Sequence, residues 1–62
     1  MKFKYYDMVK ILSGFYGGQE GRCIGMKYLN AIETEERYTL QLNKNNLVIQ
    51  ENAKNLTFVS YN

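Results

Sequence analysis

Basic and aromatic side chains lie close together in one short part of this 62-residue chain. The basic residues are Lys10, Arg22 and Lys27, and the aromatic residues are Phe15 and Tyr16. Cationic groups hold phosphates and aromatic rings stack on bases, so this combination is typical of a site for single-stranded nucleic acid. The pattern predicts that these five residues contact RNA or DNA.

The charge of the chain is unevenly distributed. The formal net charge is +2, but residues 1–30 hold five basic and two acidic side chains, and residues 31–62 have a net charge of −1. Five cations, with Lys2 and Lys4 among them, are therefore available for one basic face. Five phosphate contacts predict a weaker salt dependence than that of strong binders. The alternative interpretation is that scattered lysines only keep a small domain soluble.

No catalytic constellation stands out in the sequence. The chain has no histidine, which removes the most common general base and metal ligand. Cys23, the only cysteine, lies in an apolar row, where burial raises the pKa of a thiol and quiets it. Glu33, Glu35 and Glu36 favour a solvated acidic loop over a cation site. We therefore expect a protein that is not an enzyme and holds no metal or cofactor.

Composition also bounds the location and the size of the protein. No stretch approaches about 18 consecutive apolar residues, and residues 1–10 lack the apolar core of a signal peptide. We therefore expect a cytoplasmic protein without membrane contact. A chain of this length forms one domain, which we place at residues 1–62.

Apolar residues recur mostly at every second position, which is the period of a β-strand. The pattern predicts strands at residues 8–12, 22–29, 37–42, 47–51 and 56–59, a turn at 43–46 and a single helical or 3₁₀ turn at 51–55. Gly25 interrupts the second strand and predicts a β-bulge or a sharp bend. Residues 27–37 are interpreted as the end of that strand and an exposed acidic loop, with a short helix as the alternative. Five short strands cannot form two packed sheets, so we predict an all-β fold in which one curved sheet forms a small barrel.

Three spaced glycines separate the first two predicted strands. Gly14 and Gly18 lie where the chain must reverse direction, so positive φ angles are expected in this loop. Gly21 begins the next strand, where the backbone of a neighbour passes close by. A phosphate-cradling loop would need a following helix and a lysine–hydroxyl pair, and neither is present. We interpret the three glycines as structural.

The same segment carries a resemblance to a known family. Residues 9–14, followed by Gly18 and then by Gly21, Arg22 and Cys23, resemble a KOW motif in an SH3-like barrel. The motif has alternating valines, a Ser-Gly step, an aromatic-bearing loop and a Gly-x-Val ending, and Cys23 replaces its last valine. The similarity covers about residues 7–26. It implies a small five-stranded SH3-like barrel with a one-turn 3₁₀ helix before the last strand.

The resemblance also implies a binding module. KOW domains of ribosomal proteins and transcription elongation factors contact RNA, DNA or a large protein partner. Members that hold RNA usually have lysines in the glycine loop, whereas this chain has Gly17 and Gln19 there. Nucleic-acid binding is therefore one hypothesis, and docking on a larger macromolecular machine is the other.

Aromatic residues support the second hypothesis as well as the first. Phe15 and Tyr16 lie at the tip of a loop, and tyrosine and phenylalanine are enriched at protein interfaces. The same surface would serve a weak homodimer, so the sequence predicts a monomer or a weak homodimer. We expect four other rings to close the ends of the barrel: Tyr5, Tyr6, Tyr28 and Tyr38.

Overall fold

The computed structural model describes residues 2–28 and 35–60, and within them it contains five β-strands and one 3₁₀ turn. The strands are β1 Met8–Ile11, β2 Glu20–Tyr28, β3 Glu36–Leu42, β4 Val48–Asn52 and β5 Leu56–Ser60, and the turn η1 is Ala53–Asn55. All strand pairs are antiparallel. The predicted all-β class, the five strands and the 3₁₀ turn before the last strand are confirmed.

The five strands form one sheet in the order β4-β3-β2-β1-β5. From β1 to β4, each strand pairs with the next strand in the chain. Strand β5 then returns to pair with β1. The nine-residue β2 serves both halves of the sheet, and its register with β3 shifts between Cys23 and Gly25, as the glycine there predicts. No pairing joins β4 to β5 in the described part of the chain. The sheet therefore curves around one core without closing.

One apolar cluster forms that core. Its members are Phe3, Val9, Ile11, Cys23, Tyr38, Leu40, Leu42 and Leu56, each at most 2% exposed. Val9 and Ile11 alternate with exposed or half-buried residues on β1, as the period-two pattern predicts. The ring of Phe3 packs edge-on against Tyr38 at 5.2 Å between centroids. The segment before β1 therefore closes one end of the core.

The structure corrects two predictions in part: the burial of the tyrosine rings before β1 and the extent of the acidic loop before β3. Tyr5 and Tyr6 do not close the core, because their side chains are 66% and 52% exposed. They lie in a turn that precedes β1, so the strand period does not apply to them. Glu36, predicted in an acidic loop, is the first residue of β3. The rest of that loop, or the alternative helix, falls at residues 29–34, and the side chain of Tyr28 also lies outside the description.

The remaining boundaries differ from the predicted ones by one or two residues. Strand β2 begins at Glu20 because its start already pairs with β1, opposite Lys10. Among the described residues, no helix has the length and apolar character needed to cross a membrane.

Candidate nucleic-acid interface

The face of β2, β3 and β4 that points away from the core forms three successive cross-strand rows. From β2 to β4 the rows are Arg22–Gln41–Val48, then Gly25–Thr39–Gln50, then Lys27–Arg37–Asn52. The cations of these rows, Arg22, Lys27 and Arg37, are called the cationic strip. No carboxylate occupies any position of the three rows. The face therefore offers cations, amides and a hydroxyl, all of which bind phosphate oxygens.

Lys27 and Arg37 lie directly opposite each other at one end of the cationic strip. Like charges in directly opposed positions destabilise an antiparallel pair. The ion pair within salt-bridge distance among the described residues is Lys54–Glu35, at 3.7 Å, and it leaves both of these cations out. An external anion between the two side chains would relieve their repulsion.

Lys10 lies on the outer face of β1, but its environment differs from that of the cationic strip. The register places Glu20 of β2 directly opposite it and Thr57 of β5 on its other side. The local net charge of this row is therefore zero. Lys10 is exposed, and it lies next to the loop that joins β1 to β2.

That loop, residues 12–19, takes its shape from main-chain hydrogen bonds and two left-handed glycines. Gly14 and Gly18 have φ angles of +91° and +88°, so the predicted need for positive φ is confirmed. The amide of Gly18 donates to the carbonyl of Ile11 at 2.7 Å, and the amide of Gly17 donates to Gly14 at 3.0 Å. The loop is therefore a folded reversal.

The end of the loop is fastened to η1 through Asn55. Its Oδ1 accepts from the amide and the hydroxyl of Ser13, at 3.1 and 2.7 Å, and its Nδ2 donates to the carbonyl of Ser13 at 2.9 Å. The amide of Leu12 also donates to the carbonyl of Asn55 at 2.9 Å. At the other end, a Cβ on Gly21 would lie 2.9 Å from the carbonyl oxygen of Gln41, so the predicted close approach of a neighbouring backbone is confirmed.

The loop presents one ring to solvent and holds a second ring beneath it. Phe15 is 92% exposed, whereas Tyr16 is half-buried and packs against the core. The two rings meet edge-on, with centroids 4.9 Å apart and planes at 85°. A flat ligand can reach the face of Phe15, and Tyr16 supports that ring from below.

A second aromatic pair lies in the turn before β1. The rings of Tyr5 and Tyr6 have centroids 5.5 Å apart and planes at 53°. The amide of Asp7 donates to the carbonyl of Lys4 at 3.1 Å, and the buried carboxylate of Asp7 accepts from the amide of Lys4 at 2.9 Å. Tyr6, the third residue of this turn, has a φ of +70°, which is a true outlier for a bulky side chain.

The turn is joined to β2 and β3 by hydrogen bonds. The amide of Tyr6 donates to the carbonyl of Cys23 at 2.7 Å. The hydroxyl of Tyr38 accepts from the amides of Lys2 and Phe3, at 3.0 and 2.9 Å, and donates to the carboxylate of Glu36. The turn therefore lies beside the bulge of β2. Arg22 and Lys27 belong to this same strand.

These contacts shift the pKa values of both partners. The hydroxyl of Tyr38 and the amide of Lys2 hold the pKa of Glu36 below its usual value. Burial, followed by the hydrogen bond to Glu36, raises the pKa of Tyr38 to about 12. Burial also raises the pKa of Cys23 to about 11, with a smaller contribution from Asp7, and the predicted burial of this cysteine is confirmed.

The five residues selected from the sequence are thus spread along the outer surface. Lys10, Phe15 and Tyr16 lie at the loop end of β2, Arg22 lies near that end, and Lys27 lies near the other end. Five residues of extended chain put Lys27 about 16 Å from Arg22. The sequence analysis missed Arg37, whose proximity to Lys27 depends on the register of β2 and β3.

Comparison with protein-family models, curated proteins and solved structures gives no match to this chain. The resemblance to the KOW motif therefore stays a prediction from residues 7–26.

Proposed function

We propose that this domain is a non-catalytic module that binds nucleic acid across the outer face of its sheet. Arg22, Lys27 and Arg37 hold the phosphates, Lys10 extends the contact toward the loop, and Phe15 stacks on a base there. Tyr16 supports the ring of Phe15. In this proposal the module is of the KOW type and works in the cytoplasm.

The observation that carries the proposal is the cationic strip. Three cations, four amide or hydroxyl side chains and no carboxylate occupy the three outer rows of β2, β3 and β4. The direct opposition of Lys27 and Arg37 lowers the stability of the free protein, and a phosphate between them removes that cost. Arginine side chains also form bidentate hydrogen bonds with phosphate.

The test is a titration with fluorescently labelled 12-nucleotide oligo(dT) and oligo(rU), each at several salt concentrations. The variants Arg22→Gln, Lys27→Gln and Arg37→Gln each remove one cation of the strip. We expect each to weaken binding and to lower the slope of log affinity against log salt by about 0.7, because single-strand binding releases counterions in proportion to the phosphates neutralised.

The matched control is Lys44→Gln, since Lys44 is an exposed lysine in the turn between β3 and β4 and occupies no position of the three rows. It should bind as the wild type does. If Lys44→Gln weakens binding as much as the strip variants do, the interaction is nonspecific attraction to a basic protein. If the wild type binds neither oligonucleotide at low salt, the proposed function is wrong.

A second candidate function, docking on a protein partner, is favoured by one observation. Phe15 is almost fully exposed on a loop that hydrogen bonds fasten in place, and Leu12 on the same loop is 56% exposed. A fixed, exposed aromatic ring is typical of an interface anchor. The domain would then be an accessory module of a larger assembly.

Phe15→Ala separates the two functions. Nucleic-acid binding predicts that this variant loses affinity for the oligonucleotides. Protein docking predicts that the oligonucleotide affinity stays at its wild-type value, or is absent in both proteins, while Phe15→Ala abolishes a complex formed by the wild-type domain.

A further inference from the structure

We infer that Tyr5 and Tyr6 form a stacking platform for the unpaired bases of a single-stranded nucleic acid. This inference rests on the proposed function, because it assigns the phosphates of the same strand to the cationic strip. It adds two binding residues and selects single-stranded over double-stranded ligands.

The first support is the exposure of both rings at a place where the chain holds them rigidly. Tyr5 and Tyr6 are 66% and 52% exposed and contact each other at 5.5 Å. Their turn is closed by the hydrogen bonds of Asp7 with Lys4, and the amide of Tyr6 is bound to Cys23. Rigid, exposed rings lose little freedom when a base stacks on them.

The second support is the backbone conformation of Tyr6. Its φ of +70° falls in the left-handed region, at the turn position where glycine or asparagine is ordinary. A bulky side chain there is strained, and strain of this kind concentrates at ligand sites. The ring is half exposed, so core packing does not account for the choice of tyrosine.

The third support is the position of the pair relative to the cationic strip. Tyr5 and Gly25 line the same surface hollow of about 50 Å³, together with residues that face the core. Gly25 also occupies the β2 position of the row between Arg22 and Lys27 on the outer face. Tyr5 and the cationic strip therefore share this β2 position as a neighbour. In the proposal, a strand with phosphates on Arg22 and Lys27 continues around this position to the two rings.

This geometry requires bases that are free to leave their stack. In a duplex the base faces are covered by their neighbours, whereas in a single strand they can stack on aromatic side chains. The ligand class is therefore single-stranded RNA or DNA.

The experiment compares two oligonucleotides of equal length and charge, oligo(dT) and the same backbone without bases. Stacking is worth roughly 5- to 150-fold in affinity per base. We expect the wild type to bind oligo(dT) at least about fivefold more tightly than the abasic strand. Tyr6→Gly and Tyr5→Leu should each reduce this ratio severalfold and leave the affinity for the abasic strand unchanged.

Tyr6→Phe is the matched control, since it keeps the ring and the backbone conformation and removes only the hydroxyl; it should bind as the wild type. Thermal unfolding of Tyr6→Gly checks the fold, and we expect no loss of stability because glycine adopts this φ freely. A duplex of the same length should bind more weakly than the single strand.

Failure of this inference is distinguishable from failure of the proposed function. If the wild type binds oligo(dT) and the strip variants weaken it, but Tyr6→Gly and Tyr5→Leu keep the wild-type ratio, the platform is wrong and the proposed function stands. Equal binding of duplex and single strand also overturns the platform. If no oligonucleotide binds, both fail together.

Discussion

The two exposed aromatic pairs of this domain are built by opposite means. The loop at residues 12–19 reverses direction on glycines at positive φ and presents one fully exposed ring, Phe15. The turn before β1 reverses direction with a tyrosine at positive φ and presents two rings. The loop therefore avoids strain, whereas the turn retains it.

The difference also extends to how each pair is anchored. The loop is fastened at the surface, through the side chain of Asn55, and half of its ring pair is buried against the core. The turn is fastened from inside, through the hydroxyl of Tyr38 and the carboxylate of Asp7, and both of its rings stay outside. Burying an aromatic ring stabilises a small core, so the exposed parts of these two rings add nothing to the core. This exposure is the basis of the stacking platform that we propose for Tyr5 and Tyr6.

The largest effect is expected from the internal anchor. Tyr38→Phe keeps the ring in the core but removes the oxygen that accepts from the amides of Lys2 and Phe3. The amide of Lys2 keeps the carboxylate of Glu36 as an acceptor, whereas the buried amide of Phe3 is left without a partner. The free energy of unfolding, measured by urea denaturation, should therefore fall by about 1–3 kcal/mol. Tyr16→Phe is the control, because the hydroxyl of Tyr16 makes no hydrogen bond with the described residues, and it should change stability by less than about 0.5 kcal/mol. Equal losses in the two variants would contradict the anchor.

A smaller effect is expected from the surface anchor. Asn55→Ala removes three exposed hydrogen bonds to Ser13 and one part-buried hydrogen bond to the carboxylate of Glu51. Water replaces them in part, so the free energy of unfolding should fall by about 1–2 kcal/mol. The loop amides of residues 13–18 should then exchange faster with solvent, while those of residues 4–7 keep their wild-type rates. Asn43→Ala is the control in another exposed turn, and a similar change in loop exchange there would argue against the anchor.

Two opposite substitutions compare the backbone strain at the positive-φ positions of the loop and of the turn. Gly14→Ala puts a Cβ on a residue with a φ of +91° and should cost about 1 kcal/mol. Tyr6→Gly removes a side chain at a φ of +70°; relief of about 1 kcal/mol of strain and the greater flexibility of the unfolded chain should nearly cancel. Both values come from thermal or urea unfolding. A loss above about 2 kcal/mol in Tyr6→Gly would mean that the ring of Tyr6 stabilises the fold and that its strain serves packing.

The two regions also differ in how far the sequence predicts them. The glycine spacing predicts the loop, because positive φ at Gly14 and Gly18 is a local property that the residue type encodes. The strands follow from alternation, as for Val9 and Ile11, and the bulge from Gly25. The turn is not predicted, because tyrosine is an unusual residue at positive φ. The cluster of aromatic residues before β1 instead suggests rings that pack on the core.

The cationic strip escapes prediction for a different reason. Lys27 and Arg37 are ten positions apart in the sequence, and their direct opposition depends on the register between β2 and β3 after a bulge. A one-residue slip would move either side chain to the other face. Sequence alternation identifies which residues point outward on each strand. It does not identify which of them meet across strands.

The smallest effect is a dependence on pH that separates the two anchors. The pKa of Glu36 is lowered by Tyr38 and Lys2, so its contribution to stability is present above its unfolded value of 4.5 and is lost as pH falls through the folded value. The pKa of Tyr38 is raised from 10 to about 12, so its contribution is complete below pH 10 and is lost as pH rises through about 12. The free energy of unfolding, measured across the acidic and the alkaline window, should therefore decline toward low pH and again toward high pH.

Glu36→Gln tests the cause of both declines. It should remove the acidic decline that belongs to Glu36 and move the alkaline decline to lower pH, because Glu36 is the second cause, after burial, of the raised pKa of Tyr38. The contacts of Asn55 with Ser13 involve no titratable group, but Asn55 also donates to the carboxylate of Glu51 at 3.0 Å. The comparison is therefore made in the alkaline window. There the loop amides should keep constant exchange protection, once intrinsic rates are corrected for pH, while the amides of Lys2 and Phe3 lose theirs. If the loop and the turn lose protection together in the alkaline window, they belong to one cooperative unit, and the contrast between a surface anchor and an internal anchor does not hold.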